Sequence, residues 1–229
     1  MKQDSLPAIR TAFEAVAAEY QMRWELHDTA RKPRVLLAVT KESHCLGTIL
    51  NRVESGSLNV EIVGVLSNHE HLREVAERHE VAYHYLPVNK DTKAEQEAEI
   101  LALMESTQAD VLVLARYMQI LSDDLSSKLA GRAINIHHSF LPGFKGANPY
   151  RQAYDRGVKI IGATAHYVTT DLDEGPIIEQ EVIRVSHHHD PDTLKNFGQD
   201  IESQVLLRAL TYHCQHRVLL NGNKTVVFV

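Results

Sequence analysis

DVLVLA, residues 110–115, sets five apolar side chains in a row behind one aspartate. A run this short, without polar alternation, is the pattern of a central parallel strand covered on both faces. N-terminal to it, strand and helix alternate. RVLLAVT (34–40) reads as a buried strand, HCLGTILNRVESG (44–56) as a helix ending near Gly56, and NVEIVGVLS (59–67) as the next strand. HEHLREVAERHE (69–80) reads as an amphipathic helix with Asn68 as its N-cap, and VAYHYLPV (81–88) as a third strand. DTKAEQEAEILALMESTQ (91–108) is a charged helix with Leu101, Leu103 and Met104 on or near its apolar side. The alternation predicts an α/β fold, a doubly wound and mostly parallel sheet with sites at the carboxyl ends of its strands.

Past Leu121 the rhythm changes. AINIHHS (133–139) reads as a strand running into a site, and PYRQAYDRG (149–157) as a short helix ended by Gly157. KIIGATAHYV (159–168) and PIIEQEVIRV (176–185) read as strands flanking the loop TTDLDEG, a helix spans about 190–216, and TVVFV (225–229) is a final strand. The first thirty residues differ: RTAFEAVAAEYQMRWELHD (10–28) holds a helical apolar pattern, then an extended stretch around Met22 to Leu26. DTARKPR (28–34) has linker composition, so domains are expected at 1–32 and 33–229. One helix and one strand cannot bury their own apolar face, so the first segment is expected to need a further segment or another chain.

Composition narrows the function. Of 229 residues 44% are apolar and 24% charged, as in ordinary globular proteins, so disorder is not the expectation. Net charge is -6, with no basic cluster to follow a phosphate backbone, which argues against nucleic acid as a partner. The longest apolar runs are strand-sized, so no membrane partner is expected, and MKQDSLPAIR has no apolar signal-peptide core. Two cysteines, Cys45 and Cys214, make no disulfide framework and fit a reducing, cytoplasmic setting.

Four features are candidates for chemistry. In INIHHSFLP (134–142), Asn135 and His137 alternate with Ile134 and Ile136, so both polar side chains project to one side of a strand; they are either a catalytic pair or polar groups closing a strand end. His138 is expected on the opposite face, in a structural role. DLDEGP (171–176) carries Asp171, Asp173 and Glu174; a carboxylate there can orient a histidine or activate water, or the loop is simply solvated. SHHHD, with His187, His188 and His189, reads as a surface loop: consecutive residues do not converge on one ion, and no metal site is expected. ESHCLGTIL (42–50) has one glycine, Gly47, too few for backbone approach to a phosphate, and Cys45 beside His44 points away from it on a helix.

INIHHSFLP together with HYVTTDLDEGPII (166–178) resembles the catalytic domain of the folate-dependent formyltransferases, and RYMQILS (116–122) resembles their folate-binding segment. KESHCLGTIL, NHEHLREVAE, PVNKDTKAEQEAE, LARYMQILS, INIHHSFLPGFKGANPY, TAHYVTTDLDEGPIIEQ and GNKTVVF are similar to the deformylase branch of that family across nearly all of 33–229. The first segment is similar to the last helix and strand of an ACT regulatory domain, whose earlier part is missing. Because ACT folds pair, the resemblance implies a homo-oligomer.

The resemblance also implies the formyltransferase fold and a reaction, hydrolysis of 10-formyltetrahydrofolate to formate and tetrahydrofolate, which supplies formate and balances the one-carbon folate pool. Asn135 and a protonated His137 would donate to the formyl oxygen as it gains charge. Asp173, favoured over Asp171 as the motif's aspartate, would hold the water, with burial raising its pKa to make it a better base. His166 would support these residues from behind. Met118, Gln119, Ile120 and Leu121 on one side, with Val168 and Leu172 on the other, would wall the pterin; Gln119 stands where transferases of this fold often carry arginine. No cofactor is implied beyond the folate substrate. The rivals are transfer of the formyl group to the amine of glycinamide ribonucleotide, which needs a Gly, Ser and Asn-rich phosphate cradle after the first strand, and a silent folate-binding module.

Overall fold

In the computed structural model seven strands form one sheet in the order β3-β2-β1-β4-β5-β6-β7. They are β1 (Arg34–Val39), β2 (Glu61–Ser67), β3 (Tyr83–Tyr85), β4 (Val111–Leu114), β5 (Ala133–His137), β6 (Ile160–Tyr167) and β7 (Ile177–Arg184). The first five run parallel, while β6 and β7 are antiparallel to their neighbours. The structure describes residues 6–143 and 149–229; the FKGAN part of the INIHHSFLPGFKGANPY motif and the first five residues, where the chain start was read for a signal peptide, lie outside them.

DVLVLA behaves as its composition demands. Val111 and Val113 join Val35, Leu37 and Val39 in one core under helices α2 (His44–Glu54) and α7 (Pro191–Cys214). Leu112 and Leu114 join Leu36 and Ala38 in a second core with Ile100 and Met104 of α4 (Lys93–Ser106) and Leu125 of α5 (Asp123–Lys128). Two cores on opposite faces of one sheet make the doubly wound architecture. Helices α3 (Arg73–Arg78) and α6 (Pro149–Arg156) and the hairpin β8 (Val218–Asn221) and β9 (Lys224–Val227) complete residues 33–229.

The structure corrects one expected helix start. Asn68 caps no helix; α3 begins at Arg73, with Leu72 at the cap position. The Asn68 side chain accepts a hydrogen bond from the Thr40 hydroxyl at 3.2 Å, and Thr40 Oγ1 in turn accepts from the Met118 backbone N–H at 2.9 Å. That chain ties the end of β1 to the segment after β4, and it takes Asn68 out of the capping role.

Residues 1–32 and 33–229 are separate compact units. In the first, α1 (Leu6–Glu19) places the Phe13 ring edge-on to Trp24 at 5.0 Å, with Arg10 over the same indole at 5.4 Å. The stretch around Met22 to Leu26 enters no ladder among the described residues, because a strand needs a partner strand to satisfy its backbone.

His213, near the end of α7, hydrogen-bonds through Nδ1 with the Tyr167 hydroxyl at 2.8 Å. Burial, then the neighbouring His216, push its pKa down to about 4. Its contribution to stability is therefore complete above the ordinary histidine value of 6.5 and is lost as pH falls towards 4. The urea midpoint is expected to decline as pH drops from 6.5, with a flatter decline in His213→Gln; an equally steep curve in the variant counts against this origin.

Candidate active site

Strand parity and register build the site. Ile134 and Ile136 are buried in the α2/α7 core, so Asn135 and His137 project to the other side of β5. The antiparallel pairing sets Asn135 opposite His166 and His137 opposite Thr164. Asn135 Nδ2 lies 3.2 Å from His166 Nε2, a contact that this register makes available.

The loop between β6 and β7 folds back over these residues. Glu174 N–H donates to Asp171 O at 3.2 Å, closing a turn in which Asp173 takes a left-handed φ of 58°. Aspartate tolerates this conformation better than most residues. The turn brings Asp173 Oδ2 to 3.3 Å from His137 Nδ1 and Oδ1 to 3.7 Å from His166 Nε2. Gly175 passes so close to the Tyr167 carbonyl that a Cβ would collide with it.

Burial would raise the Asp173 carboxyl, but hydrogen bonds and positive charge from His137 and His166 outweigh it and hold the carboxyl well below the usual carboxylate range. This corrects the expectation that burial makes Asp173 a stronger base: it is a firmly held anion. The carbonyl of Tyr167 can only accept, so at 2.9 Å it takes the His166 Nδ1 proton. With that ring neutral, Nε2 accepts from the Asn135 amide; with it protonated, Nε2–H turns to Asp173. The imidazole of His137 is buried, and its Nε2 has no partner among the described residues.

Around these groups lies a pocket of about 330 Å³. Met118, Gln119, Ile120 and Leu121 line one side, Val168 and Leu172 the other, with Asn135, His137, His166 and Asp173 between. Met118, Ile120 and Leu172 are more than half exposed and form a rim. The segment carrying the first four is anchored at both ends, by Thr40 at Met118 N–H and by Glu97, which accepts from Ser122 N–H at 2.8 Å and from the Ser122 hydroxyl. Asp171 also reaches the pocket, but it is exposed.

His138 is not on the far face. β5 ends at His137, strand alternation ends with it, and the His138 ring stacks on that of His137 at 5.0 Å with 17° between planes, lining the same pocket. Behind it lies a buried ionic cluster that the sequence reading missed. Glu202, 1% exposed, accepts from Tyr150 Oη, lies 2.7 Å from His44 Nε2 and 3.3 Å from Arg116 Nε. Arg116 Nη1 reaches His138 Nδ1. Although burial opposes it, contact with His44, Arg116 and Tyr150 lowers the Glu202 carboxyl.

This cluster occupies the crevice outside β1 and β4, where the strand order reverses and α/β proteins commonly bind ligands. Contrary to the expectation that Cys45 points away from His44, the ligand atoms of His44, Cys45 and Glu202 lie within 4.8 Å of one another, close enough to suggest a cation site. The guanidinium of Arg116 already supplies the cation, and burial keeps Cys45 a thiol. One signal of the cluster was legible: Glu202 interrupts the apolar stripe of Leu194, Gly198, Val205 and Ala209 on α7. The positive φ of Arg116, 64°, left no mark in sequence. His187, His188 and His189 lie in the turn before α7, away from this pocket's lining.

Comparison with known proteins gives a consistent picture. Residues 33–210 match the formyl transferase family. Formyltetrahydrofolate deformylase of Corynebacterium sp. (strain P-1) is 51% identical over 224 residues, 98% of this chain and 78% of that protein. The Bacillus subtilis (strain 168) protein of the same name is 51% identical over 221 residues, 96% of this chain and 74% of that one. A crystal structure of formyltetrahydrofolate deformylase from Burkholderia mallei superposes with a TM-score of 0.93 at 51% identity, covering 98% of this chain and 80% of that one.

Because Gly175 has main chain against it, Gly175→Ala is expected to cost about 2 kcal/mol in urea denaturation and to shift the His166 imidazole resonances. Unchanged stability and resonances would show that the loop does not need this close approach.

Proposed function

The chain belongs to the formyl transferase family, and we propose that it hydrolyses 10-formyltetrahydrofolate to formate and tetrahydrofolate. The observation that carries this reading is His137: its Nδ1 faces the Asp173 carboxylate, and its buried Nε2 is left for a substrate atom. The Asp173 carboxylate fixes the orientation of the ring, and Nε2 donates to a substrate oxygen when the ring carries both protons.

Water attack on the formyl carbon moves charge to the formyl oxygen. The His137 Nε2–H and the second N–H of the Asn135 amide, whose first is taken by His166, are the donors placed to meet it. Asp173, held as an anion, is suited to orienting the attacking water through an accepted hydrogen bond. The proton that water surrenders passes through the Asp173 and His137 pair to the leaving nitrogen, so the pair ends in its starting state. The flat pterin fits between the apolar walls of the pocket, and its polar edge fits the backbone groups of 116–121.

Transfer to an amine acceptor is the weaker reading. It needs space for a second substrate beside the formyl carbon and a cradle for its phosphate. Here the segment after β1 enters α2 directly, with His44 turned onto Glu202, and the neighbouring crevice is filled by the ionic cluster.

The purified protein is expected to release formate from 10-formyltetrahydrofolate with no amine added. Asp173→Asn is expected to lower kcat by orders of magnitude, and Asn135→Ala by about a hundredfold, the typical cost of one oxyanion donor. Formate appearing only when glycinamide ribonucleotide is supplied, or normal turnover by Asp173→Asn, would overturn the assignment.

A further inference from the structure

We propose that Arg116, held by Glu202, is a positioning residue that keeps His138 uncharged and so reserves the imidazolium of the site for His137. This inference rests on the hydrolase reading for its catalytic consequence, though not for its structural content.

Arginine has five N–H donors and no acceptor. The contact between Arg116 Nη1 and His138 Nδ1 therefore requires a lone pair on Nδ1, which only the neutral ring with its proton on Nε2 provides. A protonated His138 would set N–H against N–H. The guanidinium cannot swing away cheaply, since its Nε side faces the buried Glu202 carboxylate at 3.3 Å.

Glu202 is itself held from two further elements, by His44 at the start of α2 and by Tyr150 on α6. Tyr150 reaches it by lying over Gly198, where a Cβ on α7 would collide with the ring. The backbone supports the same conclusion: Arg116 is kept at a φ of 64°, a conformation that glycine takes freely and an arginine does not. Three helices, α2, α6 and α7, thus act through the strained Arg116 on a single nitrogen of His138.

The consequence runs through the stack. His138 and His137 are parallel, 5.0 Å apart, so a charge on one opposes a charge on the other. At that separation and a surface-like dielectric, a second cation disfavours the first by roughly a hundredfold. The described titratable groups around the pair are Arg116, Tyr150 and, through Arg116, Glu202 and His44 on the His138 side, with Asp173 and His166 on the His137 side. Arg116 places its N–H donors where they block a proton on His138 Nδ1, while Asp173 places an acceptor against His137 Nδ1.

Two measurements on the full chain test this. In ligand-free, 15N-labelled protein at pH 6 to 7, His138 is expected to show the neutral pattern with its proton on Nε2, and Arg116→Gln is expected to convert it to the cationic pattern at pH 6. Arg116→Gly, which suits the positive φ, gives the same readout if the glutamine variant fails to fold.

In formate release, Arg116→Gln is expected to lower kcat with little change in KM at pH 6, where His138 gains its charge, and Arg116→Lys is expected to recover part of the loss. A cationic His138 in the unaltered protein, or a His138 signal that ignores both Arg116 substitutions, overturns the inference. Because the imidazole signals need no turnover, failure of the hydrolase reading would show as absent formate in the unaltered protein, independently of the His138 result.

Discussion

The site is organised around one carboxylate, Asp173, held between two imidazoles. An unpaired carboxylate in that half-buried position would be expensive, and its neutral form would be favoured. The nitrogens of His137 and His166 reverse that balance. The backbone makes the arrangement available: β5 and β6 are antiparallel neighbours, so Asn135, His137 and His166 lie on adjoining strands, and the turn at 171–174 drops the carboxylate between them. β6 and β7 are antiparallel as well, so a short loop joins them and turns back over these residues, where a parallel pair would need a long crossover.

The change from parallel to antiparallel pairing at β5 and β6 is thus the step that converts a general α/β scaffold into this site. The first five strands supply two hydrophobic cores and a set of carboxyl ends, and they would serve many reactions equally well. What distinguishes this chain is which of those ends is open. The pocket lies over β4, β5 and β6, while the crevice outside β1 and β4 holds the cluster of Glu202, Arg116, His44 and Tyr150.

Much of this was legible in sequence because it follows from period. The uninterrupted apolar run at 110–115 required cover on both faces, and the alternation in INIHH placed Asn135 and His137 together, as the two cores and the pocket show. What escaped reading depends on where a chain ends its regularity. His138 was assigned to the wrong face because alternation was carried one residue past the end of β5. Asn68 was assigned a cap because its bond to Thr40 is a tertiary contact that no local pattern carries. The depressed Asp173 carboxyl was missed for a similar reason: burial is readable from a loop's neighbours in sequence, whereas the two histidines that outweigh it come from other strands.

The strained Arg116 ties the crevice outside β1 and β4 to the pocket. A non-glycine residue at left-handed φ costs about 1–2 kcal/mol, and a buried ion pair is no reliable source of net stability, since desolvation offsets its attraction. A chain selected for stability alone would have little use for either. Their joint presence makes sense in terms of what they keep out and hold in place. A hydrolase of an activated amide needs only water beside the reacting carbon. The charged groups of the adjoining crevice are engaged with one another, Glu202 holding His44, Arg116 and Tyr150. The same guanidinium then reaches the edge of the imidazole stack, so one residue links the ionic cluster to the site.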